Sequence, residues 1–326
     1  MAFKQIEVEV VAVRELTPSI REYQLATPDK TPLPEYTAGA HITLFLDNHE
    51  GGLFVRHYSL LGGDGISDDA RHLYRIAVQR EPQGTVSCWI HQHLLPGCRL
   101  RVSVPVNAFA LNRTTQPVLL IAGGIGITPI FSMMRSLLKR QKPFSLLYCG
   151  RTAGSMAFHD DISSLIPGRV RFHYSQKAGR IDLHALLGTL APETILYICG
   201  PSSLIDGVCA AARERNFPQE NLHYECFAPA VMSENQPFEV ELKRSGRIIS
   251  IARNSSILDA LNAAKVDVLW DCRRGECGLC EQTVISADGP LVHQDQYLSE
   301  EEKQSGESMC ICVSRLRGKR LVLDLQ

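Results

Sequence analysis

Cys272, Cys277 and Cys280 fall within nine residues, in the stretch DCRRGECGLCEQ. Disulfide, zinc and iron–sulfur chemistry each ask something different of such a loop. Of the eleven cysteines in the chain, Cys88, Cys98, Cys149, Cys199, Cys209 and Cys226 are scattered. Most of those sit in apolar surroundings, as reduced core thiols do. The chain begins MAFKQIEVEV, with no basic region followed by an apolar stretch, so a secretory signal is not expected and a cytoplasmic location is. In that reducing compartment, crowded cysteines favour metal ligation over disulfides. The spacing C-x4-C-x2-C with a distant fourth cysteine is that of a plant-type [2Fe–2S] site. Three thiolates must converge from one tight loop, and Gly275 and Gly278 suit it because glycine permits positive φ and close backbone approach. Structural zinc usually joins C-x2-C to a second close pair, so the four-residue gap disfavours it. The fourth ligand is Cys310 or Cys312, both in SMCICVSRLRG. Two apart, they would share a face of a strand, and loop length does not choose between them.

At 326 residues the chain is too long for one ordinary core, so two or three domains are expected. A net charge of −1 points away from a general nucleic-acid or membrane-surface binder, and no apolar run approaches a membrane span. QIEVEVVAV, HITLFL, HYSLLG, LYRIAVQR and RLRVSVPV read as short strands separated by turns, as in an antiparallel barrel or sandwich. TVSCWIHQHL, just after Gly84, reads as a helix. From about Thr114 buried strands alternate with helices, which argues for a parallel α/β sheet. APAVMSENQP is a polar linker. FEVELKRSGRIISI then reads as a hairpin turning at Ser245–Gly246. SSILDALNAAKV reads as a helix capped at Ser255 or Ser256, and RLVLDL as a closing strand. The expected division is 1–110, 111–228, a linker at 229–236, and 237–326.

Arg56, Tyr58 and Ser59 in RHYSL, read as alternate positions of a strand, can present a guanidinium and two hydroxyls to one ligand. Any exposed strand face can also carry such residues. GTVS, from Gly84 to Ser87, opens the expected helix, where backbone N–H groups and a hydroxyl suit a phosphate. A phosphate-bearing flavin lying along strands fits both. AGGIGITP, from Ala122 to Pro129, joins a buried strand to a helix, in the position for a dinucleotide. It is not G-x-G-x-x-G, so a standard Rossmann dehydrogenase is disfavoured. CGP, from Cys199 to Pro201, recurs at the end of a later strand.

RHYSL, GTVS, GGIGITP, CGP and CRRGECGLC occur in an order that resembles the phthalate dioxygenase reductase family, over nearly the whole chain. The resemblance implies an FMN-binding antiparallel β-barrel, a parallel α/β nucleotide domain and a C-terminal β-grasp ferredoxin domain. Related reductases use FAD instead. It implies Arg56, His57, Tyr58 and Ser59 at the flavin, with Gly84, Thr85, Val86 and Ser87 at its phosphate and Ala77, Val78 and Gln79 on a neighbouring strand. Phe227 would lie near the flavin ring. Gly124, Thr128, Cys199, Gly200 and Pro201 would border the nicotinamide, and Arg151 the adenosine ribose. Cys312, in CVSR, would join Cys272, Cys277 and Cys280 on the [2Fe–2S] cluster. His57 departs from the family pattern, as do Arg273 and Arg274, which make the cluster loop basic; they fit cluster tuning, an acidic partner, or a solvated loop equally. The tail GKRLVLDL is similar to reductases of carnitine-type oxygenases.

The implied activity is passage of electrons from NADH through FMN and the cluster to the terminal component of a Rieske-type oxygenase, by a monomer. NADH gives two electrons together and a [2Fe–2S] cluster takes one at a time; flavin does both. No acid, base or nucleophile is called for. A reductase for a cytochrome P450, a diaphorase, and an iron–sulfur sensor without NADH turnover are the alternatives.

Overall fold

A computed structural model of the chain describes residues 5–47, 53–62, 72–82, 85–227, 235–253, 255–270, 275, 278–295 and 297–326. The chain divides into two compact units, Met1–Cys226 and Phe227–Gln326.

The first unit opens with six antiparallel strands: β1 (Gln5–Thr17), β2 (Ile20–Ala26), β3 (His41–Asp47), β4 (Leu53–Ser59), β5 (Tyr74–Gln79) and β6 (Arg99–Ser103). Their order is β4-β3-β6-β1-β2-β5. The alternation in β1 sends Val8 and Val10 inward, where they meet Tyr23, Leu25, Ile42, Leu44 and Ile76. The sheet rolls up, and just past β4 the Leu61 N–H donates to Arg75 O on β5 at 2.9 Å. The two edge strands are thereby brought together into a barrel. Helix α1 (Thr85–His93) plugs it with Val86 and Ile90.

The second half of this unit is a parallel sheet of β7 (Val118–Gly123), β8 (Phe144–Gly150), β9 (Val170–Tyr174), β10 (Ile195–Cys199) and β11 (Leu222–Glu225), in the order β11-β10-β7-β8-β9. Every residue of β7 is buried, as expected of a central strand covered on both faces. The helices are α2 (Ile127–Lys139), α3 (His159–Leu165), α4 (Ser175–Ala178), α5 (Leu183–Gly188) and α6 (Ser202–Glu214). The chain runs outward from β7 to β9 and then returns to β10, so β7 and β10 flank the switch point where such sheets bind ligands. Helix α2 is buried almost all round from Ile127 to Leu137. The sheet lies on one side of it, and on the other its Ser132 hydroxyl donates to Gly62 O of the barrel. A second tie is ionic. Glu22 of β2, with no exposed side-chain surface, accepts from Arg14 Nε at 3.0 Å and Arg75 Nε at 2.5 Å. Arg14 Nη2 continues to Asp161 of α3 at 3.1 Å. The expected boundary at 110/111 falls in the connection between β6 and β7.

The second unit contains β12 (Phe238–Leu242), β13 (Ile248–Ile251), α7 (Ile257–Ala263), β14 (Glu281–Ala287), β15 (Leu291–Val292), α8 (Glu300–Ser305), β16 (Ser308–Cys310), β17 (Arg315–Leu316) and β18 (Arg320–Leu323). The main sheet runs β13-β12-β18-β14-β16, with β12 and β18 parallel and the other neighbours antiparallel. Ser256 caps α7, accepting from the Asp259 N–H at 3.0 Å, and Ile257, Leu258 and Leu261 pack on the sheet. This is the β-grasp ferredoxin arrangement expected from the sequence, joined to the expected barrel and parallel sheet. The hairpin turns at Gly246, at φ +69°. Arg315 is buried and ties two segments together, donating to the carbonyls of Ala252 and Ser255 between β13 and α7 and of Gln236 before β12 while lying over the Phe238 ring.

Candidate functional site

Barrel closure makes neighbours of two segments that are about twenty residues apart. Arg56, Tyr58 and Ser59 ride on edge strand β4; Ala77, Val78 and Gln79 ride on edge strand β5. Helix α1 is fastened to β5 by His91 Nε2, 2.9 Å from Val78 O. The expected alternation holds for Arg56 and Tyr58 only. Successive strand residues point to opposite faces, so Ser59 falls on the other face with His57. His57 Nδ1 lies 2.9 Å from Thr43 Oγ1, and its ring meets that of His41 edge-on at 5.2 Å. Tyr58 is half-buried against the barrel core, and burial pushes its hydroxyl pKa up, so it stays protonated. Arg56 donates to Val55 O and has no carboxylate partner among the described residues. An uncompensated guanidinium beside the groove fits a phosphate-bearing flavin. Val86 is buried, and the Ser87 hydroxyl accepts from the Glu81 N–H at 3.0 Å. Gly84 and the Thr85 side chain lie outside the described residues.

At the switch point, Gly124, at φ +55°, begins a short 3-10 turn that runs into α2. Cys199 pairs with Ala122 across β10 and β7, which stacks the two glycine turns against each other. A Cβ on Gly126 would run into the Cys199 carbonyl. This close backbone approach is the reason the turn needs glycine there. Thr128 is buried, with its hydroxyl donating to Ile125 O at 3.1 Å, so it holds the turn from within. Tyr148, whose hydroxyl lies 3.2 Å from both Gly124 O and Ala157 O, braces it from β8. Beside it, burial pushes the Cys149 thiol up to about 11, which keeps it protonated; of the six scattered cysteines only Cys199 is fully buried and the other five are part-exposed, so the expectation of core thiols is met at Cys199 alone. Gly200 and Pro201 follow β10 and lead into α6. Arg151 follows β8 and borders a cavity of about 240 Å³ shared with Thr152, Ala153, Tyr174, Gln176 and Lys177. The last three were missed in the sequence, where polar residues after a strand look like an ordinary solvated loop.

In the second unit, Gly275 and Gly278 sit at φ +75° and +72°, as the cysteine spacing led us to expect. A Cβ on Gly275 would lie 2.7 Å from both Asp295 Cα and Val313 Cγ2, and one on Gly278 would enter the Tyr297 ring. The 293–298 segment therefore backs the loop. Tyr297 N–H donates to Gly275 O at 3.1 Å, and buried Asp295 accepts from Ser314 Oγ and Leu298 N–H, each at 3.0 Å. Cys280 and the 310–312 segment meet where the Ile311 N–H donates to Cys280 O at 3.2 Å. Cys310 is hydrogen-bonded to Cys280 through the side chains. The expectation that Cys310 and Cys312 share a strand face is not met. Strand β16 ends at Cys310, and a turn closed by Ser314 N–H to Cys310 O follows. Cys272, Cys277, Arg273 and Arg274 lie outside the described residues. Among the described ones no three metal-ligating side chains gather. Buried thiols at Cys280 and Cys312, next to a loop held open by two positive-φ glycines, fit an iron–sulfur cluster. Phe227, half-buried, opens the second unit.

Alanine at position 278 is expected to destabilise the second unit by at least about 1–2 kcal/mol, from the left-handed backbone alone. Adding Tyr297→Ala should recover the steric part and leave that backbone part. Thermal melts of the two variants check this, and a Gly278→Ala protein melting like the parent refutes it.

The family model of an oxidoreductase NAD-binding domain matches residues 120–210. That of a 2Fe-2S iron-sulfur cluster binding domain matches residues 240–317. The chain is 37% identical over 328 residues to the carnitine monooxygenase reductase subunit of Escherichia coli (strain K12), covering 99% of each chain. It is 39% identical over 321 residues to the heme-dependent oxidative N-demethylase beta subunit of Ectopseudomonas mendocina (strain ymp), covering 98% of this chain and 99% of the relative. Its fold superimposes with a TM-score of 0.81 on phthalate dioxygenase reductase, a modular protein for electron transfer from pyridine nucleotides to [2Fe–2S], at 32% identity and 98% coverage of both chains.

Proposed function

The chain belongs to the phthalate dioxygenase reductase family, and from that footing we propose that it is the NADH-dependent reductase of a Rieske-type oxygenase system. FMN and a [2Fe–2S] cluster, when bound, supply acceptance of an electron pair from NADH and its release as single electrons. The observation that carries the reading is the occurrence in one chain of two structures. One is a glycine-turn crevice at the switch point of a parallel sheet; the other is a thiol loop with two glycines at positive φ.

The residues divide the work. Arg56, Tyr58 and Ser59 hold the flavin from β4, with His57 beside them. Ala77, Val78 and Gln79 line the opposite strand, and Gly84, Thr85, Val86 and Ser87 receive the phosphate. Gly124, Thr128, Cys199, Gly200 and Pro201 seat the nicotinamide, and Arg151 the adenosine ribose. Cys272, Cys277, Cys280 and Cys312 ligate the cluster. The protein contributes binding, distance and potential, and needs no acid, base or nucleophile. The domain bounds of this reading are 1–110, 111–228 and 237–326, with a linker at 229–236. No helix among the described residues is long and apolar enough to cross a membrane. The nine described cysteines are free rather than paired in disulfides, which fits a reducing, cytoplasmic compartment, and the reading takes the chain as a monomer. A haem protein as acceptor is the second reading, favoured by the relative that is a subunit of a heme-dependent demethylase.

The test is a visible spectrum of the anaerobic protein before and after NADH, with the flavin then extracted. Bleaching of both flavin and iron–sulfur bands and release of FMN is expected. Chromophores that stay oxidised under NADH would favour a sensor, and FAD in the extract would correct the flavin.

A further inference from the structure

Arg315, the first residue of β17, carries a buried guanidinium with no carboxylate on it among the described residues. We propose that this charge raises the reduction potential of the [2Fe–2S] cluster, so that an electron leaving the flavin is drawn to the iron. The proposal rests on the reading above that Cys280 and Cys312 are among the cluster's ligands.

Among the described residues nothing neutralises the charge. A guanidinium keeps its proton at any working pH. Arg315 is 5% exposed, and its hydrogen bonds go to three neutral carbonyls, those of Ser255, Gln236 and Ala252. Its Nε has no partner. Burial lowers its pKa, as expected of a cation that has lost water without gaining an anion. Two acids of the same unit serve other groups. Asp295 accepts from Ser314 Oγ and the Leu298 N–H, and Asp259 accepts from the Ser256 hydroxyl at 2.8 Å. The carbonyls and the Phe238 ring, 5.1 Å away, engage the N–H groups and the flat face while leaving the net charge intact.

The charge also lies close to the ligands. Arg315 Nη1 donates to Ser255 O. Three residues on, the Leu258 N–H donates to Ile311 O at 3.1 Å. Ile311 precedes Cys312 in the chain, and its own N–H donates to Cys280 O at 3.2 Å. These steps put the guanidinium roughly 10 Å from the Cys312 backbone. Reduction adds one negative charge to the cluster. At roughly 10 Å and an effective dielectric of about 20, one positive charge favours that step by about tenfold. Nearby charge is among the means by which a protein sets the potential of such a cluster. The competing account is a staple, in which the guanidinium holds two segments together and its charge is incidental. Removing a staple would cost stability and leave the potential alone.

The test is a spectroelectrochemical titration of the holoprotein, with the reduced cluster followed by electron paramagnetic resonance and thermal melts run on the same samples. The variants are Arg315→Gln, which keeps a donor and removes the charge, and Arg315→Lys, which keeps the charge with fewer donors. Both should melt lower than the wild type. Arg315→Gln should lower the equilibrium constant for cluster reduction by about tenfold, a fall of about 59 mV in the one-electron midpoint. Arg315→Lys should stay within about threefold of the wild type. A midpoint unmoved in Arg315→Gln, or one that falls as far in Arg315→Lys, overturns the proposal in favour of the staple. Should Arg315→Gln lose its cluster, Gln236→Glu decides instead. That side chain is exposed, and its backbone carbonyl meets the guanidinium. A carboxylate there should lower the equilibrium constant by about twofold, and an unmoved midpoint overturns the proposal. A wild-type cluster that NADH reduces upholds the wider reading whatever the variants show, and a wild type without a cluster fails both.

Discussion

Replacing Cys312 with serine is expected to abolish the iron–sulfur absorbance of the purified protein, while Cys310→Ser retains it. Both thiols are buried and near Cys280, so proximity does not choose between them. The neighbours of Cys312 do. Ile311 donates its N–H to Cys280 O, and the Val313 side chain is one of the two groups a Cβ on Gly275 would strike. The residue between them therefore lies on the stretch of turn that faces the cysteine loop. Cys310 instead ends β16 opposite Glu281, within the ladder, among the core side chains under α7. Serine there keeps a hydroxyl toward Cys280 and loses some packing in the core, at a cost on the order of 1 kcal/mol, and leaves four thiols for the iron. The readout is iron content and visible absorbance of both variants after reconstitution. Loss of the cluster in Cys310→Ser with retention in Cys312→Ser would move the ligand to Cys310.

Glu22→Gln is expected to destabilise the first unit by about 2–4 kcal/mol, the range for breaking a buried ion pair from one side. The carboxylate is wholly enclosed, but Arg14 and Arg75 are 48% and 28% exposed, so water offsets part of the loss and holds the figure below the full burial penalty. The substitution keeps the shape and removes the charge. Arg75 is then left near Arg135 of α2, whose own pKa is lowered first by burial and next by Arg75, with Glu22 opposing. For a unit of this size the melting transition should fall by about 5–10 °C. Calorimetry resolves it from the transition of the second unit, which should not move. A first-unit shift within about 1 °C would show that the three arginines do not depend on Glu22.

Glu22 also marks the limit of what the sequence reveals. IREYQLA, which forms β2, is absent from the strands read in the sequence, and nothing local marks its Glu22 as buried. Its burial depends on Arg14, Arg75 and helix α2, which only the fold brings near. Arg315 is similar: it reads as a loop cation and proves to be a buried staple held by three carbonyls. Signals carried by neighbours in sequence were legible. Five of the six barrel strands, the hairpin at Gly246, the Ser256 cap and the glycines of the cysteine loop follow from periodicity and turn chemistry, whereas β2 went unread. The fourth-ligand question was not decided by periodicity, because it assumed a strand where a turn begins one residue after Cys310. Lys177 and Gln176 went unread for a different reason: a loop charge becomes informative only once a second strand end supplies its partner.

The burial of α2 on both sides has a consequence for how such a chain can be shortened or recombined. Its residues from Ile127 to Leu137 fill the space between the parallel sheet and the barrel. A cut at 110 would turn that filling into a greasy stripe in water, inviting the separated halves to aggregate. A cut beside Cys226 leaves each side with a core of its own. The chain thus has a natural seam in sequence at Cys226–Phe227, and the iron–sulfur module that follows it can be traded between proteins as a cassette, while the flavin and nucleotide portions travel as an inseparable pair.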